Sequence, residues 1–178
     1  MPSDYEAIHA ALLRYARGVD RADLDLVLSA FHHDATAHHG AGFQGNAHAA
    51  WTKRLGPEAE AMDRVGIGAE DPGDDRLVSC QHHITNHTVD VDAGGDRALS
   101  EAYFIAYYVT ERGARQYVAT VGGRYVDRFE RRDGEWRIAE RISVHDWDRV
   151  EEIEHLFPGS KRWVQGRRDR TDASYGGT

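Results

Sequence analysis

The fold class is decided by the stretch RYVDRFERRDGEWRIAERI, residues 124–142. Two strand-like runs flank the turn residues Arg132-Asp133-Gly134-Glu135, which is a strong signal for a β-hairpin. The pattern predicts one strand from Arg115 to Arg131 and another from Trp136 to His145.

Two further long strands are predicted upstream of this hairpin. They cover Val78 to Asp92 and Arg97 to Glu111, and each ends at a glycine-containing turn. Strands of this length exceed the usual length of about 5–6 residues. We therefore expect a strongly bent sheet with bulges, and Gly122-Gly123 is the obvious position for one.

The N-terminal part of the chain has helical patterns instead. Ser3 and Glu6 form a capping-box signature, and the apolar residues that follow recur at helical spacing. Gly18 lies near the end of this helix, so Asp20 falls at its C-terminal turn or just beyond.

Three shorter elements and one irregular stretch complete the prediction. Helices are predicted over Leu24–Phe31 and Asn46–Leu55, with a short strand over Asp34–His39 between them. An irregular Gly/Asp/Pro-rich stretch runs from Gly66 to Asp75. Helices followed by an antiparallel meander predict an α+β fold, with the helices packed against one curved sheet.

Composition predicts a single domain over residues 1–160 and a polar C-terminal tail over residues 161–178. The net charge of −8 disfavours nucleic-acid binding, and the basic cluster from Lys161 to Arg170 is typical of a solvated tail. No segment resembles a membrane span or a secretion signal. With Cys80 as the only cysteine, the cytoplasm is the expected location.

A carboxylate and an imidazole form the candidate catalytic pair. Asp20 closes an apolar helix, and His82 lies in the strand segment QHHITNH. A buried Asp that holds a neutral His is a common way to build a strong base without a metal or cofactor. Period-two alternation puts His82 and Asn86 on one face and His83 and His87 on the other, so it does not by itself choose the histidine.

Other chemistries have less support. The chain has eleven histidines, but adjacent pairs such as His82/His83 point to opposite faces of a strand, and no HExxH or His-x-His motif is present. We therefore expect no functional metal and no cofactor. No Gly-x-Ser-x-Gly motif is present, and Cys80 has no neighbouring motif that would activate it, so core packing is the expected role of its thiol.

The order of the helix ending near Asp20, the segment HHITN and the hairpin of residues 124–142 resembles the SnoaL-like branch of the NTF2-like α+β-barrel superfamily. That branch includes bile acid 7α-dehydratase and hexachlorocyclohexane dehydrochlorinase, and scytalone dehydratase is a more distant relative. The resemblance covers roughly residues 5–150. It implies an NTF2-like cone, in which N-terminal helices pack in a strongly curved mixed or antiparallel sheet.

The resemblance also implies roles for particular residues. Asp20 and His82 match the family's catalytic dyad, since the family places that His four residues before an Asn, here Asn86. Arg141 matches a cavity arginine. Tyr15 occupies a position that is tyrosine in the dehydratase and lysine in the dehydrochlorinase, and a phenol favours oxygenated substrates.

The second long strand presents one of two faces to the predicted pocket. One register offers Phe104, Ala106 and Tyr108, and the other offers Tyr103, Ile105 and Tyr107. Either face is aromatic, which suits an aromatic, steroid-like or polyketide substrate. We expect the first set, together with Asn86, to bind the substrate.

The predicted function is a cofactor-independent lyase with Asp20 and His82 as its general base. It would remove water, or another small fragment by a retro-aldol-type C–C cleavage. The same dyad could run an isomerisation or an aldol cyclisation. An alternative from another class is a non-catalytic subunit, like the small subunit of ring-hydroxylating dioxygenases. By family analogy we expect a homo-oligomer, with a trimer favoured and a dimer possible.

Overall fold

The computed structural model describes residues 2–57, 76–153 and 159–176. The predicted irregular stretch Gly66–Asp75 lies outside these residues. The three α-helices of the described part are α1 (Asp4–Asp20), α2 (Leu24–Ser29) and α3 (Ala47–Leu55). Its strands are β1 (Phe31–His38), β2 (Gln44–Asn46), β3 (Arg76–Val91), β4 (Arg97–Arg112), β5 (Arg115–Arg132) and β6 (Glu135–Glu152).

The six strands form one sheet in the order β2-β1-β6-β5-β4-β3. Strands β3 to β6 make the predicted antiparallel meander, while β1 pairs with β6 in parallel. Helix α1 packs against β3 and β6, so the apolar side of the helix closes the inner face of the curved sheet. The α+β prediction is confirmed. No helix in the described ranges is long and apolar enough to cross a membrane.

Local sequence explains where α1 begins. The Ser3 side chain accepts a hydrogen bond from the backbone N–H of Glu6, and the Glu6 carboxylate accepts one from the backbone N–H of Ser3. The buried positions Ile8, Leu12 and Tyr15 recur at three- and four-residue spacing, which gives α1 one apolar face. The helix ends at Asp20, as the sequence predicts.

Bulges bend the sheet at the predicted place. The register between β5 and β6 shifts at Gly122 and Gly123, because Gly122 pairs with Trp147 whereas Gly123 pairs with His145. A Cβ on Gly123 would lie only 2.3 Å from the carbonyl oxygen of Val144, so this close approach of β5 and β6 requires glycine.

Several predicted boundaries are wrong, including the start of β1, which is Phe31 instead of Asp34. Strand β6 continues to Glu152 instead of ending at His145, because it stays paired with β5 as far as Tyr117. Helix α2 stops at Ser29 instead of Phe31. Phe31 joins β1, where it is opposite Ile138 of β6.

A buried ion pair lies in the core between the helices and the sheet. Arg141 of β6 is 0% exposed, and its Nε and Nη2 donate hydrogen bonds of 2.8 and 2.6 Å to the carboxylate of Asp127 on β5. The guanidinium carbon lies 4.1 Å from the ring centroid of Tyr15 and 4.2 Å from that of Tyr125. The charge is therefore paired within its plane and covered by aromatic rings.

The C-terminal segment packs onto the corner between α1 and α2. The hydroxyl of Tyr175 donates a 2.6 Å hydrogen bond to Asp23, the N-cap residue of α2, and Arg170 forms an ion pair with the same carboxylate. Arg17 donates to the backbone carbonyl of Ser174. The composition of the segment, which is typical of a solvated tail, did not predict these contacts.

A histidine pair connects the first half of α1 with β3. His9 Nδ1 and His87 Nδ1 are 2.9 Å apart, and His87 Nε2 lies 2.9 Å from the hydroxyl oxygen of Ser100. Burial and the neighbouring His9 lower the pKa of His87 from 6.5 to about 4. The neutral ring is the form that fits this network.

Replacing Asp127 with Asn should destabilise the fold by about 3–5 kcal/mol, because it leaves the Arg141 charge buried without its counter-ion. The matched control is Asp146→Asn, which breaks the partly exposed ion pair with Arg124 and should cost less than about 1 kcal/mol. Urea unfolding of both variants measures the difference. Equal small losses would contradict the assigned role of the buried pair.

The histidine network predicts a loss of stability in acid. In the unfolded chain His87 takes up a proton near its ordinary pKa of 6.5, while in the folded chain it does so only near about 4. The free energy of unfolding should therefore fall as the pH drops from 6.5 towards 4. In His87→Gln this decline should be shallower, as measured by urea midpoints against pH. The exposed His145→Gln serves as control, and an identical slope in His87→Gln and wild type would refute the prediction.

Candidate active site

The C-terminal end of α1 places a carboxylate at the inner face of the sheet. The chain turns sharply after Asp20, and Ala22 takes a positive φ of 50° before α2 begins. Gly18 permits this corner, because a Cβ there would lie 2.6 Å from a methyl carbon of Val27. The Asp20 side chain, 14% exposed, thereby points towards β3.

Asp20 clamps His82 at two points. Its Oδ1 lies 2.7 Å from His82 Nδ1, and its Oδ2 accepts a 3.1 Å hydrogen bond from the backbone N–H of His82. The His82 side chain is only 3% exposed. A carboxylate accepts the Nδ1 proton, so Nε2 is left as the acceptor nitrogen of a neutral ring. The two residues predicted as a pair are in direct contact.

A bulge in β3 overturns the predicted alternation beyond His82. The register shifts between Ile84 and His87, so His87 turns inward and Asn86 is exposed. Asn86 therefore does not share a face with His82, contrary to the predicted alternation. His83 is on the outer face, where its ring packs edge-on against Tyr107.

Strand β4 contributes an aromatic wall next to the pair. Phe104 and Ala106 are buried, and the hydroxyl oxygen of Tyr108 lies 3.2 Å from His82 Nε2. Phe104 also stacks on Tyr125 at a centroid distance of 4.5 Å. On the opposite face Tyr103 and Tyr107 are 43% and 36% exposed. Of the two registers left open by the sequence, the structure has the one with Phe104, Ala106 and Tyr108 inward.

Tyr15 and Arg141 lie together on the inner face. Burial raises the pKa of Tyr15, so its hydroxyl stays protonated, and the hydroxyl interacts with Tyr125 and Arg141. Burial alone would lower the pKa of Arg141, but Asp127 raises it well above the ordinary value. The guanidinium is therefore permanently charged. Charged side chains on strands usually lie at the surface, but Arg141 is buried.

Among the buried donors that have no hydrogen-bond partner within the described residues, two lie beside Tyr15. They are Nη1 of Arg141 and Nε1 of Trp51 on α3. The Trp51 ring packs edge-on against Tyr15 at 5.5 Å, and Arg141 covers the same tyrosine. A buried donor without an acceptor is costly, so an oxygen-bearing ligand would be stabilised by either group.

Sequence reasoning did not select Asp127, Tyr125 or Trp51. The sequence did contain a signal for Asp127. It lies two residues from both Tyr125 and Phe129, so the alternation of a strand places its carboxylate on an otherwise apolar face. Its partner Arg141 lies directly opposite on the neighbouring strand. No pattern pointed to Trp51, whose position depends on the packing of α3.

One cluster in the described part of the chain has donors close enough to hold a metal. It consists of Asp20, Cys80 and His82, whose donor atoms lie within 4.8 Å of one another. Burial raises the pKa of the Cys80 thiol far above its ordinary value, so the thiolate that binds metals is disfavoured. His82 Nδ1 is also engaged by Asp20. The donor chemistry favours the hydrogen-bonded pair over a metal centre.

Solved structures with the same fold support this architecture. A candidate scytalone dehydratase from Novosphingobium aromaticivorans superposes with a TM-score of 0.63 at 16% identity, covering 88% of this chain and 93% of its own. A hexachlorocyclohexane dehydrochlorinase from Novosphingobium barchaimii gives a TM-score of 0.65 at 15% identity, covering 86% and 94%. At these identities the similarity shows the fold alone.

A third structure and the family comparison complete the assignment. A candidate aromatic ring hydroxylase from Novosphingobium aromaticivorans has a TM-score of 0.62 at 24% identity, covering 84% of this chain and 93% of its own. No curated protein matches the sequence. The SnoaL-like domain model matches residues 2–142, which is most of the chain. The protein therefore belongs to the SnoaL-like family of the NTF2-like superfamily.

Proposed function

We propose that this protein is a cofactor-independent lyase that eliminates water from a small, hydrophobic, oxygenated substrate. The observation that carries the proposal is the 2.7 Å contact between Asp20 and His82 Nδ1 at a nearly inaccessible imidazole. An imidazole whose Nδ1 proton is held by a carboxylate has its Nε2 lone pair free to act as a general base. The candidate scytalone dehydratase and the dehydrochlorinase described above are both named for elimination reactions. Their names therefore support elimination as the reaction class.

In the proposed reaction His82 Nε2 removes a proton from the carbon next to a carbonyl group. Asp20 keeps the Nδ1 proton in place and stabilises the imidazolium that forms. The electron pair of the broken C–H bond becomes an enolate, which then expels the β-hydroxyl group. Acid–base catalysis of this kind typically contributes about 10²–10⁴-fold to the rate.

The negative charge that develops on the substrate requires donors fixed in advance. Asp127 occupies Nε and Nη2 of Arg141, so Nη1 is the part of the guanidinium that remains for a substrate oxygen. The protonated hydroxyl of Tyr15 adds a second donor beside it. Because these groups are buried and held by their neighbours, they need little reorganisation during the reaction.

The lining indicates the class of substrate. Phe104, Tyr108 and Tyr125 form an aromatic wall, and the small side chain of Ala106 lies between Phe104 and Tyr108 on β4. Flat aromatic, steroid-like or polyketide-like molecules pack well against such a surface. Substrates of this kind carry the carbonyl and hydroxyl groups that the base and the donors would contact.

We also propose that the protein works as a homo-oligomer, with a trimer favoured, in the cytoplasm. The support is an exposed apolar set on the outer side of the sheet, which would be partly buried between copies. Its larger members are Leu99, Tyr103, Ile142 and Trp147. Sedimentation of the purified protein would test the oligomeric state.

Replacing His82 with Ala should lower kcat/KM by about 10²–10⁴-fold on an active substrate, because the base is removed. Asp20→Asn should also lower it, since an amide can hold the wrong tautomer and cannot stabilise the imidazolium. A panel of aromatic and alicyclic β-hydroxy ketones, followed by the ultraviolet absorbance of the enone or arene formed, provides the assay.

The matched control is His83→Ala, which removes the neighbouring imidazole from the outer face and should retain activity. Circular dichroism and urea unfolding verify that all three variants fold. Full activity in both His82→Ala and Asp20→Asn would exclude the dyad as the base. A wild-type protein that converts no member of the panel would refute the proposed elimination and favour a non-catalytic subunit.

A further inference from the structure

The proton-accepting nitrogen of His82 is already in contact with a phenol. Tyr108 Oη lies 3.2 Å from His82 Nε2, and the two rings meet edge-on at an interplanar angle of 90° and a centroid distance of 5.7 Å. Asp20 accepts the Nδ1 proton, so Nε2 has no proton to donate. The Tyr108 hydroxyl must therefore be the donor in this contact.

This phenol is a poor acid where it lies. Burial raises the pKa of Tyr108 above its ordinary value, and the nearby Cys80, Tyr15 and Asp20 raise it further. A free phenolate next to Asp20 is therefore disfavoured. The hydroxyl can give its proton away only if it receives another at the same time, and His82 is the group in position to supply one.

We propose that Tyr108 is a third catalytic residue, which passes the proton from His82 to the departing hydroxyl group of the substrate. The inference rests on the proposed elimination and adds the fate of the abstracted proton. It completes a hydrogen-bonded series from Asp20 through His82 to Tyr108, in which each contact is within hydrogen-bonding distance.

The step balances without any external reagent. The substrate displaces the Tyr108 hydroxyl from Nε2, and Nε2 takes the proton as the C–H pair becomes an enolate. Tyr108 then gives its own proton to the leaving oxygen while it accepts the proton on His82 Nε2. The C–O bond breaks, a C=C bond forms, water departs, and His82 and Tyr108 return to their starting states.

Two consequences distinguish this relay from a phenol that only lines the pocket. Since one nitrogen both removes the proton and supplies Tyr108, the proton and the hydroxyl should leave from the same face of the substrate. The relay also matters only for leaving groups that need a proton. Hydroxide is such a group, whereas acetate leaves without protonation.

The test compares β-hydroxytetralone with its acetate ester, since both become the same absorbing naphthol on elimination. Tyr108→Phe should lower kcat on the hydroxy ketone by about 10²-fold and on the acetate by less than about threefold. His82→Ala should lower both. Tyr107→Phe, on the exposed face of the same strand, is the matched control and should change neither.

Equal losses on the two ketones in Tyr108→Phe, or no loss on either, would overturn the relay while leaving the dyad intact. A wild-type protein inactive on both ketones would overturn the relay together with the elimination for this substrate class. If Tyr108→Phe fails to fold, a second experiment uses the wild-type protein. Its substrate is the hydroxy ketone deuterated stereospecifically at the α-carbon, and the measurement is the face from which the label is lost. Loss of the label on the same face as the hydroxyl supports the relay, and loss from the opposite face refutes it.

Discussion

The buried ion pair between Arg141 and Asp127 is the interaction on which the packing of the helices against the sheet depends. Burying each ion costs several kcal/mol, and this cost is offset only by close pairing and good geometry. The pair meets that requirement with two hydrogen bonds and two covering aromatic rings, those of Tyr15 and Tyr125. Strands β5 and β6 and helix α1 must therefore meet at one point in one register.

The same pair links the two halves of the candidate site. Tyr15 covers Arg141, and Asp20 follows five residues later on the same helix, about 7.5 Å further along its axis at about 1.5 Å per residue. Helix α1 is thus a rigid spacer between the guanidinium and the carboxylate that holds His82. One element therefore sets the separation between the proposed base and the proposed oxyanion donors, and such fixed groups would need little reorganisation during a proton abstraction.

Local signals in the sequence predicted much of this architecture. The capping box at Ser3 and the Asp-Gly turn at residues 133–134 act over a few residues, so helix α1 and the β5–β6 hairpin follow from them directly. The orientation of the side chains on β3 could not be predicted from such local signals. Alternation assumes an unbroken period of two, and the bulge after Ile84 inserts an extra residue that exchanges the orientations of Asn86 and His87.

The sequence by itself determined the fold class, the ends of α1 and the residues Asp20 and His82 as a candidate pair, because helix caps, turns and side-chain periodicity are local properties of the chain. Only the tertiary structure decided that Tyr108 reaches His82 and that Asp127 pairs with Arg141, because these contacts depend on strand register. The C-terminal segment belongs to the same group. Its contacts with Asp23 join residues about 150 positions apart, and no local pattern records which distant surface a polar segment will meet.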